Sequence, residues 1–192
     1  MRLGILGGSF DPIHVGHVRL AIEAREHLGL DEVVLEVARV SPFKVGQSVA
    51  SAETRLRMTR AAVDGIPGLR AGDTELGRDG PSYTIDTLRA YAGNELALIL
   101  GSDALAEFQA WREWQAILQL ARLAVAERPG SPARDAIQAL PAEFRDRVVF
   151  FPAPLLDVSS TDIRARVREG RCLRYLVPDS VIQIIEEERL YL

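Results

Sequence analysis

The chain has 192 residues, a length typical of one domain with a substantial core. Its composition, 47% hydrophobic and 26% charged, excludes disordered, collagen-like and coiled-coil proteins. The formal net charge of −4 disfavours a nucleic-acid partner, and no apolar run reaches the ~18 residues that cross a bilayer, so no membrane partner is expected. A single cysteine, Cys172, cannot form an internal disulfide, which favours a reducing, cytoplasmic location.

Short apolar runs alternate along the chain with stretches of helical spacing. The apolar runs predict strands at 3–6, 33–37, 96–100, 123–126 and 148–151. Helical spacing predicts helices at 18–28, 52–63, 84–92, 161–168 and 180–189. In the second helix we expect core positions at Leu56, Ala62 and Val63. On the same helix we expect solvent-facing positions at Arg55, Arg57 and Arg60.

This order of elements predicts an α/β fold with a doubly wound parallel sheet in a single domain. Stretches rich in glycine and proline, 64–82 and 129–141, are predicted to be surface loops. In such a sheet, ligands bind beyond the carboxyl ends of the strands. Segments 7–17, 41–47 and 101–103 follow such ends, so we expect the functional site among them.

Segment 7–17 combines a glycine turn with two histidines. Its two glycines permit a sharp bend that presents backbone N–H groups to phosphate oxygens, and the next helix adds the partial positive charge of its N-terminus. His14 and His17 are three residues apart, so both rings can face one side and donate to a phosphoryl group. A plain turn and a metal site are the alternatives, but a structural zinc is disfavoured because Cys172 and His27 are the remaining soft ligands.

Segment 158–164 carries three hydroxyls and a carboxylate at the start of a predicted helix. One of these side chains is expected to cap the helix, which accounts for Ser160 or Thr161. The excess of hydroxyls, with Arg164 one turn later, also suits a second anion site. From the residues alone, both interpretations stay open.

These two segments carry a resemblance to a known superfamily. The chain resembles the nucleotidyltransferase superfamily of α/β phosphodiesterases in Gly8-x-Phe10-Asp11-Pro12-x-His14-x-Gly16-His17 and Ser159-Ser160-Thr161-x-Ile163-Arg164. Within the superfamily it is similar to the nicotinate-nucleotide adenylyltransferase family in 82–88, in 98–105 with Phe108 and Trp111, in 128–130, and in 176–178 with Tyr191. The resemblance implies a Rossmann-like nucleotidyltransferase fold. It also implies transfer of the adenylyl group of ATP to nicotinate mononucleotide in NAD biosynthesis, with Mg²⁺ bound mainly through the ATP phosphates.

The resemblance implies roles for individual residues. The implied catalytic residues are His14, His17, Lys44 and Arg164. The implied contacts to ATP are Gly8, Ser9, Phe10, His14, His17, Gly101, Asp103, Ser159, Ser160, Ile163 and Arg164. The implied contacts to the mononucleotide are Asp11, Lys44, Tyr83, Thr84, Trp111 and Arg128. The C-terminal part, about 159–192, is expected to close over the nucleotide.

Two positions depart from the family pattern. Phe43 precedes Lys44 where the family usually has histidine, and Arg112 follows Trp111 where an aromatic residue is common. Both departures bear on how the second substrate is held.

Other functions therefore stay open as alternatives. The phosphate acceptor could instead be nicotinamide mononucleotide or phosphopantetheine, although segment 82–88 and Trp111 disfavour the latter. A nucleotide-binding regulator without turnover is disfavoured because such a protein has no need of His14 and His17 together. Whether the chain forms a homo-oligomer is open.

Overall fold

The structure is a computed structural model that describes residues 1–40, 50–78, 80–127, 137–154 and 156–192. Its strands are β1 (Arg2–Gly8), β2 (Glu32–Val37), β3 (Leu69–Gly72), β4 (Glu95–Gly101), β5 (Ala121–Glu127) and β6 (Val148–Pro152). Its helices are α1 (Val15–Leu28), α2 (Ala52–Val63), α3 (Thr84–Ala90), α4 (Ser102–Ala106), α5 (Trp114–Leu120), α6 (Ala142–Arg145), α7 (Ser160–Arg168) and α8 (Asp179–Glu187). Among the helices of these described ranges, none combines the length and the apolar character that a bilayer-crossing segment needs.

The six strands form one sheet in the order β3-β2-β1-β4-β5-β6. β4 pairs in parallel with β1 on one side and with β5 on the other, and β6 pairs in parallel with β5. In this register Leu3 lies opposite Leu96, and Leu98 lies opposite Leu123. The strand order proceeds outward from β1 in two directions, which confirms the predicted doubly wound parallel sheet.

The apolar runs of the sequence form strands that are buried on both faces of the sheet. Residues 33–37 of β2 and 96–100 of β4 are buried without a break. Since successive side chains of a strand point to opposite faces, an unbroken buried run requires cover on both sides. All five predicted strands are present at the predicted places.

Segment 64–82 is not only a loop, because it contains the four-residue strand β3 at one edge of the sheet. Gly65 and Gly68 ahead of this strand have positive φ angles of 73° and 74°. Because these turn glycines lie so close to the strand, the composition of the whole segment is typical of a loop. Helices α4, α5 and α6 were also not predicted; α4 and α6 have five and four residues, which is too few to establish a helical period. Of the stretch 129–141, residues 137–139 form a 3₁₀ turn, and those before 137 lie outside the described residues.

The chain forms two compact units, each assembled from three separated segments. Unit 1 contains Met1–Leu6, Leu20–Val34 and Tyr83–Leu155, and unit 2 contains Gly7–Arg19, Leu35–Ser82 and Leu156–Leu192. Unit 1 has an apolar core that includes Ile5, Leu98, Phe108 and Leu123. In unit 2 the buried side chains include Phe10, Ile13, Met58, Ile163 and Tyr191. The single-domain assignment of 1–192 stays a prediction.

Candidate active site

The loop from Ser9 to His14, which follows β1 in unit 2, is shaped by a glycine and a buried ring. A Cβ at Gly8 would lie 2.7 Å from Cε1 of Phe10, so a side chain at this position would require the buried Phe10 ring to move. Phe10 is buried and has a φ of 48°, a conformation that bulky residues rarely adopt. The packed ring therefore fixes the bend by which the chain leaves the strand.

The two histidines of this loop lie against each other at the start of α1. The ring centroids of His14 and His17 are 3.7 Å apart, with their planes inclined by 25°. The backbone N–H of His14 donates to Nδ1 of His17 at 3.3 Å, and the Phe10 ring meets His17 edge-on, with 5.0 Å between centroids. A Cβ at Gly16 would lie 3.0 Å from Nδ1 of His14, so the glycine leaves room for the pair. The three-residue spacing predicted that both rings face one side, and the structure adds that they stack.

The surroundings of the two rings bear on the charge of His14 and on the tautomer of His17. Burial lowers the pKa of His14 to about 4, so this ring is neutral near pH 7. Its Nδ1 is buried and has no hydrogen-bond partner among the described residues. Because Nδ1 of His17 accepts from the backbone, a neutral His17 carries its proton on Nε2 and donates from that atom.

Arg55 of α2 is buried, at 2% exposure, and holds the loop by its backbone. Its guanidinium donates from Nη1 to the carbonyls of Ser9 and Ala38, both at 2.7 Å, from Nη2 to that of Arg39 at 2.9 Å, and from Nε to that of Ala50 at 3.3 Å. Burial lowers the pKa of Arg55, and the negative charge of Asp11 opposes this effect. A planar fork of donors suits such a cluster of carbonyl oxygens.

The expectation that Arg55 faces solvent is therefore wrong. Arg55 shares its side of α2 with Met58, Thr59 and Ala62, all of them buried. The spacing i, i+3, i+4, i+7 marks one helix face, and this signal was present in the sequence. Arginine is rarely fully buried, so its charge alone is a poor guide to its side of this helix.

A second set of donors comes from the start of α7. Ser160 Oγ donates to the carbonyl of Pro12 at 2.9 Å, and Nη1 of Arg164 donates to the carbonyl of Asp11 at 2.7 Å. The helix cap is Ser159, whose hydroxyl accepts from the backbone of Asp162 at 3.1 Å. The expectation that Ser160 or Thr161 caps the helix is therefore wrong, since Ser160 serves the loop instead.

These contacts orient the backbone of the loop. In a trans peptide the C=O and N–H groups point to opposite sides. Arg55 holds the carbonyl of Ser9, so the N–H of Phe10 is turned away from the guanidinium. Ser160 holds the carbonyl of Pro12 in the same way, so the N–H of Ile13 is turned to the other side as well, and free N–H groups of this kind can bind anions. The carbonyl of Asp11 has no N–H opposite it, because the next residue is proline.

Asp11 is buried and its carboxylate has protein partners. Its Oδ1 accepts from the hydroxyl of Tyr191 at 2.7 Å and from the backbone N–H of Ala50 at 3.3 Å. From the sequence, Tyr191 was only part of a resemblance and no role could be assigned to it. The structure thus brings together residues from 8–17, 50–55, 159–164 and 191, all of them in unit 2.

The other described candidates lie in unit 1. Gly101 ends β4 and precedes α4, and Asp103 is exposed in the first turn of that helix. Tyr83 and Thr84 open α3. The ring of Trp111 packs on Phe108, with 5.5 Å between centroids.

Arg112, one of the two departures from the family pattern, stacks over the Tyr83 ring with Cζ at 4.6 Å from its centroid. Lys44, Phe43, segment 41–47 and Arg128 lie outside the described residues. Within the ranges that are described, His, Cys, Asp and Glu side chains form no group of three or more that could hold a metal ion.

Comparison with known sequences identifies the family of this chain. Residues 5–166 match the family model described as cytidylyltransferase-like. A protein of Roseiflexus sp. (strain RS-1) named "Probable nicotinate-nucleotide adenylyltransferase" is 45% identical over 98% of this chain and 97% of its own length. A protein of Desulfatibacillum aliphaticivorans with the same name is 38% identical over the full length of both chains. The chain belongs to the nicotinate-nucleotide adenylyltransferase family.

Solved structures agree with the fold. Nicotinic acid mononucleotide adenylyltransferase of Plasmodium falciparum, solved in complex with NaAD, has a TM-score of 0.74 to this chain at 18% identity, covering 99% of this chain and 97% of its own. At this identity the likeness establishes the fold alone. The predicted Rossmann-like nucleotidyltransferase fold is confirmed.

Proposed function

We propose that this protein transfers the adenylyl group of ATP to nicotinate mononucleotide, giving nicotinate adenine dinucleotide and pyrophosphate in NAD biosynthesis. The observation that carries the proposal is the stacked pair of His14 and His17 at the N-terminus of α1. The pair stands on a loop whose carbonyls are tied back by Arg55, Ser160 and Arg164. Relatives named for this activity that match nearly the whole chain support it.

The chemistry proposed is a direct in-line displacement at the α-phosphorus of ATP. The phosphate of the mononucleotide is already ionised near pH 7, so it attacks without a general base. The protein's part is then to position the two substrates and to stabilise the growing charge. We assign this to the Nε2–H of His17, to His14, to Arg164 and Lys44, and to backbone N–H groups of the loop.

The remaining predicted residues are proposed as substrate contacts. Gly8, Ser9 and Phe10 would meet ATP through their backbone, while Gly101 and Asp103 would hold its ribose and adenine. Ser159, Ser160 and Ile163 would close over the nucleotide with the C-terminal part, about 159–192. The proposed contacts to the mononucleotide are Asp11, Lys44, Tyr83, Thr84, Trp111 and Arg128.

Mg²⁺ fits this site as a companion of ATP rather than as an ion held by a protein cage. The acid of the loop, Asp11, is buried and its Oδ1 already accepts from Tyr191 and Ala50. Mg²⁺ prefers oxygen ligands and keeps several waters, so triphosphate oxygens and water would serve as its ligands. Bound there, it would neutralise charge on the departing pyrophosphate.

The test is release of pyrophosphate from ATP with Mg²⁺ and one of three acceptors: nicotinate mononucleotide, nicotinamide mononucleotide or phosphopantetheine. We expect the highest kcat/KM with nicotinate mononucleotide and no release with ATP alone. A higher kcat/KM with another acceptor would reassign the substrate, and ATP binding without release for any acceptor would make the protein a regulator. The cytoplasmic location and the absence of nucleic-acid and membrane partners stay predictions.

A further inference from the structure

We propose that Tyr191 is a positioning residue for adenylyl transfer, holding Asp11 and, through Asp11, the loop that carries His14 and His17. The inference rests on the proposed function for its kinetic part. Tyr191 lies after α8 and is 180 residues away from Asp11 in sequence, so it is not part of the motif that contains the two histidines. Both Tyr191 and the loop belong to unit 2.

The contact between Tyr191 and Asp11 is short and shielded from water. The phenol donates to Oδ1 of Asp11 at 2.7 Å, and the two residues are 4% and 3% exposed. Burial and the bond to Asp11 raise the pKa of Tyr191 above its ordinary value, so the hydroxyl keeps its proton and stays a donor. A hydrogen bond to a charged acceptor is stronger than one between neutral groups.

Asp11 passes this contact on to the backbone of the loop. Its Oδ1 also accepts from the N–H of Ala50, and its own carbonyl accepts from Arg164 at 2.7 Å. His14 follows three residues later, and its N–H sets the ring of His17 through Nδ1. A displacement of Asp11 therefore reaches both imidazoles along a short stretch of chain.

The backbone around Tyr191 indicates that the chain turns specifically to deliver this side chain. After α8, Arg189 and Tyr191 have positive φ angles of 51° and 68°, and Leu190 donates to the carbonyl of Ile185 at 3.0 Å. Positive φ is unfavourable for a bulky residue, and such strain persists only where surrounding contacts require it. Packing of the ring would be served equally by phenylalanine, whereas the bond to Asp11 requires the hydroxyl.

The experiment compares Tyr191→Phe, which removes only the hydroxyl, with Tyr91→Phe as the matched control. Tyr91 packs against the apolar core of unit 1 and is none of the proposed substrate contacts, so its variant should keep the wild-type kcat. For Tyr191→Phe we expect kcat to fall about tenfold, from the loss of one hydrogen bond to a charged group. The KM for ATP should change much less, because His14 and His17 are proposed to stabilise the transition state, and a rise in the KM for nicotinate mononucleotide would reflect the proposed contact of Asp11 with that substrate.

Histidine ring resonances in NMR provide a readout that a purely structural role would not move. The chain has three histidines, and we expect Tyr191→Phe to shift the resonances of His14 and His17 while His27 stays unchanged. An unchanged kcat, or a reduced kcat with unshifted His14 and His17 resonances, would overturn the proposal. If the wild type releases no pyrophosphate, the proposed function fails, and the resonances alone still decide whether Tyr191 positions the loop.

A second variant tests the route through Asp11. Asp11→Asn removes the charge that strengthens the bond with the phenol. If Tyr191 acts through Asp11, adding Tyr191→Phe to Asp11→Asn should cost less than about threefold in kcat, since coupled residues do not contribute independently. A full tenfold loss in the Asp11→Asn background would refute this route.

Discussion

The histidine loop of unit 2 and the aromatic group of unit 1 hold their candidate residues by different means. In the loop, carbonyls of Ser9, Asp11 and Pro12 accept from Arg55, Arg164 and Ser160. In the aromatic group, Trp111 and Trp114 pack on Phe108, with centroids 5.5 Å and 6.3 Å away. Directional hydrogen bonds position the residues of the loop, whereas packing of apolar rings positions those of the aromatic group.

This difference predicts how each region responds to substitution. A hydrogen bond to a buried carbonyl is lost when a donor moves or disappears, and the unsatisfied group then costs free energy. Packed apolar side chains tolerate exchanges that keep volume and lose stability gradually. Conservative changes should therefore be severe in the loop and mild in the aromatic group.

The largest effect is expected for His17→Ala. Removal of one donor to a developing negative charge costs a factor of roughly 10²–10³ in kcat. The measurement is pyrophosphate release at saturating ATP and nicotinate mononucleotide. His27→Ala is the control, since His27 is partly exposed and bonds only within α1 to Glu23 among its described partners. Near-wild-type turnover in His17→Ala with an unchanged melting temperature would contradict the assigned role.

Arg55→Lys is expected to be the next most severe change. Lysine keeps the charge but cannot match the four carbonyls that the guanidinium fork contacts. Unsatisfied buried carbonyls should lower the free energy of unfolding by about 2–4 kcal/mol, and a loosened loop should reduce kcat about 10- to 100-fold.

The matched control for Arg55→Lys lies two residues along the same helix. Arg57 pairs with Glu188 at a partly exposed position, so Arg57→Lys should change stability by less than about 1 kcal/mol. Urea unfolding and initial rates of both variants make the comparison. Equal effects at the two positions would remove the distinction between a buried fork and a surface ion pair.

The fold was predictable because its signals are local and repeated. Apolar runs bounded by turns located five strands, and α2 begins at Ala52 as predicted, directly after Ser51, whose hydroxyl accepts from the backbone of Thr54 at 3.1 Å. β3 was missed because four residues between glycine turns show no period. The local sequence pattern is enough to predict long elements. A short edge strand such as β3 is formed by pairing with the neighbouring strand, which the local pattern does not show.

The site was predictable where its residues are close in sequence and not where they are distant. His14 and His17 share a turn, so their spacing alone placed the rings together. Arg55 and Tyr191 reach the same loop from 46 and 180 residues away, and no local pattern records such a contact. The hydrogen-bond needs of a bent loop show that donors must exist, but only the tertiary structure identifies them.

A smaller effect, on stability, is expected from the burial of His14. Its pKa is about 4 in the folded chain against an ordinary 6.5, so between these values the unfolded chain binds more protons. The free energy of unfolding should therefore fall as the pH drops from 6.5 towards 4, by about 2 kcal/mol between pH 7 and pH 5 from this group. Urea unfolding of the wild type and of His14→Asn at both pH values isolates the contribution. A constant difference between the two proteins across this range would show that His14 titrates normally.

The smallest effect is expected in the aromatic group. Trp111→Leu removes a ring proposed to contact the pyridine, and an aromatic stack contributes about 0.5–1.5 kcal/mol, so KM for nicotinate mononucleotide should rise about two- to tenfold while KM for ATP stays constant. Trp114→Leu is the matched control, because Trp114 packs between Phe108 and Phe144. This substitution should lower the free energy of unfolding and leave both KM values unchanged. If Trp111→Leu lowers stability alone, then Trp111 serves packing only. The aromatic group would then belong to the hydrophobic core and would contact no substrate, so the histidine loop alone would carry the candidate active site.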